Sequence, residues 1–269
     1  MTAWETIVGY ATNPSSTFTA LTYTAGQSGT VRNTDLQSRV LLQDMWAKGA
    51  TAGVFRIRSP RLHDNVQGIR FQNPATLNYQ LMGWPPAQPL VPQDQLIAEI
   101  TGGATETDAG AYHISYDSLP GSDGVFATWE QIKPRIVNIV TNEVDTAASA
   151  TVGNWSTGAA FNSTFDLTHA NTWYAILGYV VSASVLAIAV QGPDIGNLKI
   201  GGPGNLNLVD TRSYFILRDQ AGPVPGIPVI NSANKAGTFV FAADTAASTA
   251  VNVGLILAEL SGSSLPGGM

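Results

Sequence analysis

Residues 173–190 read WYAILGYVVSASVLAIAV, eighteen consecutive positions without a charged side chain. A run of that length and polarity suits a membrane-spanning helix, a buried helix, or two buried strands joined by a turn. A second stretch discriminates among the three. When Pro60 is set against Pro193, an offset of 133, residues 40–57 take the place of 173–190. Trp46 then falls on Tyr179, Ala50 on Ala183, Phe55 on Ile188 and Ile57 on Val190. The earlier copy contains Asp44, Lys48 and Arg56, each costly at a bilayer centre, so a spanning segment is excluded for both. Each copy is expected to be a pair of buried strands, turning near Lys48-Gly49-Ala50 in one and Ser182-Ala183-Ser184 in the other. The β-branched and aromatic residues of both runs favour that conformation. Phe55 and Ile57 point to one side of their strand and Arg56 and Arg58 to the other. The second copy carries Ala189 and Gln191 where the first has Arg56 and Arg58, so the outer face at Ala189 is expected to be covered.

Other blocks extend the correspondence outward. PRLHDNVQGI, 60–69, resembles PDIGNLKIGG, 193–202, with a two-residue gap near His63 and Asp64. AGAYHISYD, 109–117, pairs with AGTFVFAAD, 236–244, at an offset of 127. Proline-rich segments at 72–95 and 222–228 occupy similar places. The pattern predicts an internal duplication. The expected organisation is an N-terminal arm at 1–16, a first domain at 17–145, a linker at 146–153, a second domain at 154–260 and a tail at 261–269. Two segments, 35–47 and 130–144, are left open between helix and strand, and Pro134 would confine any helix in the second to starting near it.

A chain of 269 residues suffices for one large β domain or two ordinary ones. Only 12% of the residues are charged against 44% hydrophobic, and 27 Gly and 15 Pro point to short strands and many turns. A surface poor in charge can be covered by neighbouring subunits without the cost of desolvating ions. The net charge of −6 argues against a dedicated nucleic-acid binder. Its distribution is uneven: residues 1–72 carry a net +3 and the remainder −9. There is no cysteine, hence no disulfide and no thiolate chemistry. Residues 1–16 lack the basic-then-apolar pattern of a signal peptide, and none is expected.

No nucleophile elbow, zinc motif or phosphate loop occurs, and Gly201-Gly202-Pro203-Gly204 is not followed by Lys-Ser/Thr. No catalytic residue, cofactor or metal is therefore expected, and the chain is read as a non-enzyme. His113 falls on the polar side of a strand and reads as a surface histidine. Arg56, Arg58, Arg61 and Arg70 form the candidate contact set, for a neighbouring subunit or, more weakly, for nucleic acid. Trp84, Trp129 and Trp155 would serve a different class, a carbohydrate-binding β-sandwich that stacks sugars on exposed indoles.

Two successive β domains with Thr-rich strands and long proline-rich loops resemble the double jelly-roll major capsid proteins of icosahedral viruses. The likeness is one of architecture and duplication across nearly the whole chain. No specific motif supports it, so no residue role is carried over. It implies an all-β fold of two tandem jelly-roll-like β-sandwich domains related by internal duplication. It further implies a virion structural protein, assembled in the host cytoplasm, that forms pseudo-hexameric homotrimers and a higher lattice. Its partners would be itself and other virion proteins.

Overall fold

The computed structural model describes residues 3–24, 26–34, 39–62, 65–73, 75, 79–80, 87–162, 166, 168–205 and 209–262. The first half contains β1 (Ala3–Thr12), β2 (Thr19–Ala20), β3 (Thr22–Tyr23), β4 (Val40–Lys48), β5 (Gly53–Arg58), β6 (Ile69–Asn73), β7 (Tyr79–Gln80), β8 (Gln88–Leu90), β9 (Ile97–Ile100) and β10 (Thr107–Tyr116). The second contains β11 (Phe126–Ala127), β12 (Ile136–Ala147), β13 (Ala159–Ala160), β14 (Trp173–Val181), β15 (Val185–Gln191), β16 (Ile200–Gly204), β17 (Ile227–Asn231), β18 (Phe239–Ala243) and β19 (Ala250–Leu260). Helices are short: α1 (Trp129–Ile132), α2 (Tyr214–Ala221) and a few 3-10 turns.

These strands form antiparallel sheets, two in each half. One first-half sheet runs β3-β1-β10-β4, with β7 and β8 on the far side of β4, and the other runs β2-β9-β5-β6. The second half repeats the scheme with β11-β17-β14-β19-β12 and β13-β18-β15-β16. Taken in chain order, β1, β10, β4 and β8 match β12, β19, β14 and β17, while β2, β9, β5 and β6 match β13, β18, β15 and β16. Each half is thus a jelly-roll-like sandwich whose chain crosses repeatedly from one sheet to the other. The all-β sandwich fold expected from the sequence is the fold observed.

The uncharged run 173–190 is β14 and β15, separated at 182–184. The two do not form a hairpin: β14 lies in one sheet and β15 in the other, so the turn carries the chain across the sandwich. Among the described residues no helix is long and apolar enough to cross a membrane. β4 and β14 begin 133 residues apart (173 − 40) and β6 and β16 begin 131 apart (200 − 69), as the alignment with its two-residue gap predicts.

Other expectations need correction. The block 109–117 lies in β10, the last strand of its sandwich, whereas 239–243 is β18, the last but one. By strand order their counterparts are β19 and β9, so that pairing matched two generic buried strands rather than equivalent ones. Residues 3–12 of the expected arm form β1, bonded to β10 from Ala3↔Tyr116 to Thr12↔Thr107. The segment 146–153 is not a linker between domains. β12 pairs with β19 as far as Ala147↔Ala250, and the loop after it is tied to the second half by Ala148 N–H to Thr249 O (2.9 Å) and Gly153 N–H to Asp244 O (2.7 Å). The changeover between sheets falls between Tyr116 and Phe126.

Of the two ambiguous segments, 40–48 is strand, and 35–38 lie outside the described residues. In 130–144 the helix stops at Ile132 and a 3-10 turn at Lys133–Arg135 contains Pro134. Thr128 caps α1 in a capping box with Gln131, and everything from Ile136 onward is β12. The tail residues 263–269 lie outside the described residues.

Candidate assembly interfaces

The two sandwiches are joined through non-equivalent faces. Val8, Ala111 and Trp46 are neighbours across β1, β10 and β4 and share an apolar cluster with Ala109. From the second half, Leu186, Ala187 and Ala189 of β15 and Phe241 and Ala243 of β18 complete the same cluster, apart from the main core. Ala189 is fully buried there. This cover explains why β15 lacks charge: a strand covered on both faces reads as a continuous apolar run.

Polar groups weld the rim of the cluster. Trp46 Nε1 donates to Leu186 O (2.8 Å) and Thr6 N–H to Lys199 O (2.8 Å). Thr6 Oγ1 also lies 3.0 Å from both Gly201 N, which donates to it, and Gly201 O, which can accept from it. Lys48 Nζ pairs with the buried Asp244 and donates to Ser184 O (3.0 Å). Gly201 and Gly202 let β16 pack closely within its own half: a Cβ on Gly202 would lie 2.2 Å from the Tyr214 ring, and one on Gly201 would lie 1.8 Å from Ile188 O.

At the centre sits a buried polar network. β4 carries a bulge opposite Tyr112 and His113, with Asp44 in the left-handed region (φ 46°). Asp44 Oδ2 lies 3.1 Å from His113 Nδ1 and 3.0 Å from Arg218 Nε, the latter reaching in from α2. Arg218 Nη2 donates to Gln43 Oε1 and to Ser115 Oγ (2.9 Å). His113 Nε2 lies 2.7 Å from Gly201 O, and the ring sits edge-on to Trp4 and Trp46, 4.9 and 5.0 Å between centroids. Both ring nitrogens face acceptors, which favours the doubly protonated form. Burial opposes that form, aided by the Arg218 charge, and the pKa of His113 is lowered. His113 is therefore an interface residue and not a surface one: its strand presents the "polar" side to the other sandwich rather than to water.

The basic candidates lie on the opposite sheet of the first sandwich, on its outward face. Arg56 is the register partner of both Arg70 and Glu99. Arg56 Nε donates to Glu99 Oε2 (2.7 Å), and Arg58 donates to both Glu99 oxygens (2.9 and 3.1 Å). These guanidinium groups hold the Glu99 carboxyl below its ordinary range although burial alone would raise it. The Arg56 guanidinium stacks 3.6 Å from the Phe18 centroid, with that of Arg70 at 5.6 Å. Arg61 is not brought into this group; it is exposed in the turn after β5. His63 and Asp64, which follow it in the chain, lie outside the described residues.

The outward face of β12-β19-β14 has a different character. Glu143, Gly254 and Val180 form one row across it, and Thr141 and Ile256 the next. Val137, Ile139 and Val180 are 60%, 57% and 39% exposed, and Glu143 and Asp145 are exposed beside them.

Neither Trp129 nor Trp155 is an exposed platform. Trp155 is buried in the joint between halves, its Nε1 donating to Gln27 Oε1 (3.0 Å), although it borders an open groove of about 670 Å³ lined by 145–150 and 156–159. Trp129 is half-buried against the core, and Trp84 lies outside the described residues. The carboxyl of Asp108 is raised to about 7 by burial and by neighbouring Glu106. Glycine backbone roofs it, since a Cβ at Gly102 would fall 1.6 Å from its Oδ2. Among the described residues no cluster of three or more His, Cys, Asp or Glu side chains could hold a metal ion.

Sequence reasoning missed the network of Asp44, His113 and Arg218. The one available signal was Asp44 inside an otherwise apolar strand, together with paired glycines at 201–202. Neither a protein-family model nor a curated protein sequence matches this chain.

Proposed function

We propose that the chain is a structural, self-assembling shell protein, most concretely a virion major capsid protein that forms pseudo-hexameric homotrimers. The observation that carries the reading is the strand order repeated in two sandwiches fixed side by side by a buried joint. We take the repeat as an internal duplication. Three copies of such a chain present six similar lobes, a shape that tiles a shell with few kinds of contact. The reading assigns no catalytic step, cofactor or metal. Location in the virion, contact with other virion proteins, and any contact of Arg56, Arg58, Arg61 or Arg70 with nucleic acid belong to the same proposal. Light scattering coupled to size exclusion, followed by negative-stain microscopy, tests it. Trimers and larger regular particles are expected; a 28.3 kDa monomer at every concentration overturns it.

A further inference from the structure

We infer that the outward face of β12-β19-β14 on one copy docks on the outward face of β5-β9-β6 on a second copy. Between chains, this head-to-tail contact repeats the one that the two halves make within a chain. It rests on the assembly reading above and adds which faces meet.

Within the chain, the β1-β10-β4 face covers the β15-β18-β16 face. The counterparts of these faces are β12-β19-β14 and β5-β9-β6, and both retain exposed side chains. The first keeps an apolar stripe of Val137, Ile139 and Val180 in water, next to Glu143 and Asp145. The second carries Arg56, Arg58 and Arg70 around Glu99, with Val66 protruding at 72% exposure from the loop beside them. Apolar stripe and opposite charge are thus distributed so that unlike faces attract. Pairing either face with itself would set arginine against arginine or carboxylate against carboxylate. A two-fold contact is disfavoured for that reason, and the contact that remains is heterologous, the kind that forms a ring when the rotation between copies closes.

The chain lacks cysteine, so paired cysteines report the contact directly. Gln72 on β6 and Ile139 on β12 are exposed on the two faces. The full-length chain carrying Gln72→Cys and Ile139→Cys together, treated with a short bis-maleimide, is expected to give covalent oligomers. Each single variant is expected to stay at monomer mass on a denaturing gel. A second readout is Glu143→Lys with Asp145→Lys, expected to weaken self-association by about tenfold or more. Cross-linked dimers from either single variant would overturn the pairing in favour of a two-fold contact. Oligomers by light scattering whose double variant gives no covalent product would also overturn it, while leaving the assembly reading in place. A strictly monomeric wild-type chain removes both.

Discussion

β5 and β15 hold the same position in their sandwiches, and both direct large apolar side chains inward, Phe55 and Ile57 on one and Ile188 and Val190 on the other. Outward they differ. β5 presents Arg56 and Arg58, partly exposed and paired to Glu99, while β15 presents Ala187 and Ala189, fully buried beneath Trp46 and Ala111. The first strands repeat the contrast with the halves reversed: β1 is buried almost throughout, while β12 alternates with exposed Ile139, Thr141, Glu143 and Asp145. Inward faces follow from the sandwich each strand helps to build. Outward faces are set by whether another sheet of the same chain lies on top.

The contrast breaks most sharply by exchanging the outward residues. Ala189→Arg places an unpaired charge in a joint with no room for it, and the expected loss is on the order of 3–5 kcal/mol. Thermal unfolding reads this, and a midpoint within about 2 °C of the parent chain would mean that the joint is loose. A pH series sharpens the comparison next, because among the described residues a buried histidine lies on the covered face and none on the open one. The folded-state pKa of His113 lies below its ordinary 6.5, so the unfolded chain takes up this proton first as the pH falls. The stability is full above pH 6.5 and is lost as the pH drops below it. Denaturant titrations should show this slope, and His113→Gln should flatten it; an unchanged slope in the variant would assign the effect elsewhere. The smallest effect is expected at Arg58→Ala, less than about 1 kcal/mol, since Arg56 still pairs with Glu99 and the site is partly solvated. A loss as large as that of Ala189→Arg would erase the distinction between the two faces.

Much of the fold was legible. Strands β4, β5, β14 and β15 follow from alternation and from the charges of 40–57 judged against 173–190, whereas a helix expected to start near Pro134 instead ends before it, at Ile132. The pairing of 109–117 with 236–244 failed because an alternating run of small and aromatic residues signals burial, and buried strands of different rank look alike. Of the site, Arg56, Arg58 and Arg70 were found as a group, since strand alternation puts them on one side. Arg61 was grouped with them by closeness in sequence, and the turn after β5 separates it.

The amino-acid sequence alone was enough for an all-β chain and for the inward-facing residues of its strands, because strand periodicity is local and survives substitution. Only the tertiary structure decided that the turn at 182–184 crosses between sheets, that residues 3–12 are a central strand, and that His113, Asp44 and Arg218 meet. Those facts depend on which sheet lies against which, and in the network His113 and Arg218 are 69 (113 − 44) and 174 (218 − 44) positions from Asp44 in the chain. No pattern along the backbone records a distance of that kind.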